Sequence, residues 1–226
     1  IGAQGALAEV LGIAGVSIVV LASVLLTMGL CGVTIDCVRI PTDAEIQAAV
    51  SQLAKPIAQY AWLVRRVREI DVRADAAFQR RYNHFWRVRK NAAWREAYYD
   101  LLERSKESQL DYGSTLRALH ERTGTVEASF SSKLLATLDP ARPVLDALVL
   151  DYFGLRLPYH DQTDRLGRTV EIYRRIADGV DAIVRSDAMP RIRAAYAAHP
   201  PDARISAQKM VDFVIWRIRT TSSSGP

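Results

Sequence analysis

"YGSTLRALHERTGTVEASFSSKLLATLDPARPVLDALVLDYFGLRLP", residues 112–158, decides how the chain is read. Leu116 and Leu119 recur at helical spacing and stop at Thr123-Gly124, where glycine supplies a left-handed C-cap. A second helical pattern over about 126–137 carries Val126, Phe130, Lys133, Leu134 and Leu138. "DPARP" reads as a loop, and Pro143 precedes a third helix with Val144, Leu145, Leu148 and Val149, closed by Gly154 and Pro158. No period-two alternation of useful length interrupts these segments, so the stretch predicts packed helices rather than a sheet.

The same grammar extends outward in both directions. Thr42 with Glu45 three residues later forms a capping box ahead of Ile46, Ala49, Val50 and Leu53. Pro56 is expected to break or kink that helix, and a second runs from Ile57 to about Ile70. Asp75 is the expected N-cap of the next, which contains "RRYNHFWRVRK", residues 80–90. Projected on a helix, Phe78, Tyr82 and Phe85 share an apolar face with Trp86 beside them, and Arg89 falls on that face. Arg80, Arg87 and Lys90 point away. Toward the C-terminus, "RTVEIYRRIADGVDAIVRS" reads as a helix interrupted at Gly179. Another has Pro190 in its first turn, and Ser206 caps the last. The expected fold is an all-α domain of seven to nine helices over residues 41–219, followed by a flexible tail at 220–226.

Ahead of this domain, residues 1–40 are dominated by an apolar run. No charge occurs from Val10 to Ile35, which exceeds the ~20 residues a bilayer-spanning helix needs. A membrane-spanning helix over about 10–35 is therefore expected. The arginines that follow it place the helical domain on the cytoplasmic side, since the basic flank stays there. Without that segment the domain would be a cytoplasmic protein.

Composition bounds the chemistry less tightly. The chain has 226 residues, 49% of them hydrophobic, and a formal net charge of +5. That charge is compatible with nucleic acid or anionic lipid without specifying either. Phosphate-loop, dinucleotide-binding, HExxH and GxSxG signatures are absent, and Cys31 and Cys37 have no metal-ligand neighbours at the required spacing. No cofactor and no metal is expected. Between Arg65 and Arg104 eleven basic residues face six acidic ones, a surplus that suits a phosphate backbone.

One resemblance rests on residues 123–158. "TGTVEASFSSKLLATLDPARPVLDALVLDYFGLRLP" resembles the core of a group of small bacterial all-helical proteins. More distantly, it resembles the helix-hairpin-helix DNA glycosylases of base-excision repair. In those enzymes a glycine-rich hairpin leads into a helix, then a proline-containing loop, then an aspartate that opens the next helix and assists glycosidic cleavage. The resemblance implies an all-α fold, DNA as partner and Asp146 as the catalytic aspartate, with Gly124 in the phosphate-binding hairpin. The hairpin "RTGTVEA" keeps only Gly124 of the family's glycine pattern, and Glu127 stands where bifunctional members carry a nucleophilic lysine. Lys133 lies further along the helix and is the remaining catalytic candidate. Arg87, Arg89 and Lys90 are the candidate phosphate ligands. Read from the residues alone, Asp146 is equally a helix cap, Lys133 a snorkelling side chain, and the domain a membrane-tethered interaction module without catalysis. The two readings part on whether Arg89, Lys133 and Asp146 converge on one cleft.

Overall fold

The computed structural model describes residues 38–108, 111–197 and 205–218. These hold ten α-helices and no strand among the described residues. They are α1 (Asp43–Val50), α2 (Ala54–Arg66), α3 (Ala76–Trp86), α4 (Ala92–Arg104) and α5 (Tyr112–Thr123), then α6 (Ala128–Leu138), α7 (Ala147–Tyr152), α8 (Arg165–Arg185), α9 (Ala188–Tyr196) and α10 (Ala207–Arg217). The spanning helix expected over 10–35 and the tail at 220–226 lie outside the described residues. Among those described, no helix is long and apolar enough to cross a membrane.

Local chemistry sets most boundaries. Thr42 and Glu45 form the expected capping box. Asp75, Asn91, Asp111, Asp146 and Ser206 each accept a backbone N–H of the first turn that follows, satisfying donors with no intrahelical partner. Gly124 closes α5 in the left-handed conformation at φ 70°. Pro56 sits in the first turn of α2, where its missing N–H costs nothing, so the break falls earlier, at 51–53.

The helices form two groups. α2 packs on α3 and α6, and α5 lies between α4 and α6. In the second group α10 touches α7, α8 and α9, and α1 crosses over to pack on α9 and α10. α5 against α8 joins the groups, with the rings of Tyr112 and Tyr173 stacked at 3.8 Å. Aromatic residues fill the first group: Phe78, Tyr82 and Trp86 are buried along α3 at steps of four. Their polar tips are satisfied. The Tyr82 and Tyr98 hydroxyls meet at 2.7 Å, Tyr98 also donates to Phe130 O at 3.1 Å, and Trp86 Nε1 donates to Thr137 Oγ1 at 3.2 Å.

Two expectations about helix continuity are corrected. α8 runs unbroken through Gly179, because the missing side chain makes room for Phe153; a Cβ there would lie 2.6 Å from that ring. The helix expected to include Val144 and Leu145 starts later: residues 143–146 are not helical, and α7 begins at Ala147. Two backbone donors of that segment go to side chains instead of a helix: Val144 N to Asp212 Oδ1 at 3.1 Å and Leu145 N to Ser132 Oγ at 2.9 Å.

Candidate functional site

A cavity of about 580 Å³ opens between the two helix groups. That is within the size range of small-molecule and cofactor sites. Pro56 and Gln59 of α2 and the C-terminal turn of α3 form one wall. Arg87 and Arg89 follow that turn, and Lys133 projects from α6. The opposite wall is the 144–149 segment with Asp146 and Leu148, and α10 contributes Lys209, Asp212, Phe213 and Trp216. Arg89, Lys133 and Asp146 thus share one cleft, joined by Arg87. Lys90 and Gly124 do not line it.

Asp146 is the N-cap of α7. Its Oδ1 accepts from both Leu148 N and Val149 N at 3.0 Å, while Oδ2 makes no hydrogen bond among the described residues. Oδ1 is thus spent on the cap, and Oδ2 is not. Burial pushes the carboxyl above its ordinary value, and the nearby Asp212 adds to this; the two amides and Lys133 oppose it. Lys133 moves the other way. Burial lowers its ammonium, Asp146 partly restores it, and Arg87 lowers it further. Lys133 Nζ donates to Trp86 O at 3.3 Å and lies 5.0 Å from the centre of the Phe130 ring. Lys133 and Asp146 feel each other's charge but form no ion pair.

The helical projection that put Arg89 on the apolar face of α3 does not apply. α3 ends at Trp86, and Arg87 is the left-handed C-cap at φ 55°, ψ 44°. Asn83 O accepts from both Arg87 N and Val88 N, a closure that favours glycine. The chain then runs on without helix through Val88, which is buried, while Arg89 is exposed. Arg87, expected to point away, borders the cavity because of this reversal. Lys90 is committed elsewhere: its Nζ lies 2.5 Å from Glu127 Oε1. Trp94 Nε1 and Thr125 Oγ1 donate to the same oxygen at 3.1 and 2.9 Å. Glu127, buried at the start of α6, thereby anchors the 123–127 turn to α4. Gly124 N donates to His120 O and closes α5.

Sequence reasoning missed the floor of the cavity. Lys209 and Asp212 form an ion pair at 2.7 Å with side chains only 1% and 7% exposed. Lys209 Nζ lies 5.1 Å from the Tyr60 ring centre, and Asp212 Oδ1 holds Val144 N. The pair fastens the segment carrying Asp146 to α10. Its signal was two charges, three apart, inside the apolar run "KMVDFVIW". Among the described residues no group of three His, Cys, Asp or Glu side chains could hold a metal ion. Comparison with protein-family models, curated proteins and solved structures finds no match.

Proposed function

We propose that the helical domain binds nucleic acid at this cavity and hydrolyses an N-glycosidic bond there, as the resemblance of residues 123–158 to helix-hairpin-helix DNA glycosylases implies. The observation that carries the reading is the meeting of Asp146, Lys133, Arg87 and Arg89 beside the rings of Phe85, Trp86, Phe213 and Trp216. Breaking the bond between the anomeric carbon and a base nitrogen leaves positive charge on the sugar. Asp146 Oδ2, held by a capped helix start, stabilises that charge and takes a proton from the water that adds to the anomeric carbon. The departing base gains a proton at nitrogen. Lys133 favours the ionised form of that carboxyl against the burial that raises it, and Arg87 and Arg89 hold flanking phosphates. The turn joining α5 to α6 supports the resemblance in form, but Lys90 in its ion pair and Gly124 outside the cavity make the arginines the principal phosphate ligands.

The test has two arms. The full chain should bind single- or double-stranded DNA with an affinity that falls steeply with salt, and should release a base from at least one member of a panel of damaged oligonucleotides. Asp146→Asn should keep the binding and abolish the release. Salt-independent binding removes the nucleic-acid reading; base release surviving in Asp146→Asn removes the catalytic role.

The uncharged run at residues 10–35 independently favours a membrane tether, with the helical domain on the cytoplasmic face. Full-length protein should then resist extraction by alkaline carbonate; release into the soluble fraction contradicts the tether.

A further inference from the structure

A second groove, of about 260 Å³, lies between α2 and α3. Gln59, Trp62 and Leu63 form one side, and Arg80, Arg81, His84 and Phe85 the other. Gln59, His84 and Phe85 also line the main cavity, so the two spaces adjoin along α3. No acidic residue lines the groove, and Arg80 and Arg81 form no ion pair among the described residues.

The wall of this groove is a platform. Trp62 is half-buried with its ring stacked near Phe78, centroids 6.2 Å apart. The guanidinium of Arg81 lies over the Trp62 ring, 4.3 Å from its centre. The guanidinium held flat on Trp62 presents a planar, cationic surface on which a planar base can stack. The basic side chains are spaced for a strand. His84 lies three or four residues from Arg81 and Arg80 along α3, about one helical turn or ~5.4 Å, and Arg87 follows as the cap at the end of that helix, on the cavity side. That row leads from the groove to the mouth of the cavity.

Resting on the reading of the main cavity as a nucleotide site, we infer that this groove is a second nucleotide subsite for an unstacked single strand. The base next to the one in the cavity lies against Trp62 beside Arg81. The intervening phosphates run along Arg80, His84 and Arg87. The preferred ligand is therefore an oligonucleotide rather than a free nucleoside or nucleotide. An acidic peptide would match the charge but would bring no planar group to Trp62.

The test titrates the full chain with an equimolar mixture of the four deoxynucleoside monophosphates and with random-sequence single-stranded oligodeoxynucleotides of increasing length. Lengthening beyond one nucleotide should tighten binding about tenfold as the groove fills. Arg81→Glu and Trp62→Leu should each remove most of that gain while leaving monophosphate binding unchanged. Arg81 is exposed, so its variant serves even if Trp62→Leu fails to fold. Monophosphates binding as tightly as oligonucleotides, or variants that keep the length dependence, overturn the inference and leave the main-cavity reading standing. Polyglutamate competing as well as an oligonucleotide of equal charge also overturns it. Failure of every nucleotide ligand to bind defeats the main-cavity reading as well.

Discussion

Replacing Arg87 by glycine should move stability and binding in opposite directions. Arg87 closes α3 at φ 55°, the left-handed conformation in which Gly124 closes α5. A left-handed conformation costs a residue with a Cβ roughly 1–2 kcal/mol. Glycine relieves that cost but adds about 0.4–1 kcal/mol of unfolded-chain entropy. The net gain is about 0–1.5 kcal/mol, or a rise in Tm of up to about 5 °C for a domain of this size. The guanidinium makes no hydrogen bond among the described residues that would offset this. Binding should suffer, because Arg87 stands at the cavity mouth. Loss of one phosphate contact lowers the slope of log affinity against log salt by about 0.7–1. Thermal unfolding and a salt series on the same variant measure both effects. A clear fall in Tm with an unchanged salt slope would refute the reasoning, because the arginine would then be holding the fold rather than a ligand.

Three further outcomes follow from the same geometry. Asp146→Ala should cost about 1 kcal/mol through the lost cap, while Asp146→Asn keeps it. Because burial raises the Asp146 carboxyl above its ordinary value of 3.8, the folded state binds this proton more tightly than the unfolded chain. Its contribution is complete below that value and is lost as pH rises through the raised one, so urea melts should show Asp146→Asn gaining on wild type as pH rises from about 4. Asp212→Ala should cost about 3–5 kcal/mol by stranding Lys209, and Lys209→Met with Asp212→Asn should recover most of it, because asparagine still accepts from Val144 N. An equally unstable double variant contradicts this. Glu127→Ala should cost about 3 kcal/mol through three lost donors, with no change in the DNA salt slope if Lys90 is structural; a reduced slope would return Lys90 to the phosphate ligands.

The helical class and most helix starts were legible because they depend on neighbours in sequence. A cap such as Thr42 or Asp75 needs only the amides of the next turn, and the spacing of Phe78 and Tyr82 reports one buried face. The site was legible in part: Asp146, Lys133, Arg87 and Arg89 were all named from sequence, and all border one cavity. Where the reasoning slipped, a distant partner had taken a local role. Asp212, 68 residues away, draws off the Val144 amide, and the helix expected to include Val144 begins only at Ala147. Phe153 needs the space at Gly179, so that glycine serves packing rather than a break. Glu127 claims Lys90 from 37 positions along the chain. Arg87 changes direction because α3 stops at Trp86, before the residues the projection covered.

Sequence by itself determined that this chain builds a helical domain with a basic segment, because periodicity, caps and charge runs are local properties. Only the tertiary structure decided which charges share a cavity, which are consumed in ion pairs, and that the groove lined by Trp62 and Arg81 adjoins that cavity. Those outcomes depend on which surfaces face each other after α1 crosses to pack with the C-terminal helices, and side-chain spacing along the chain does not carry that information.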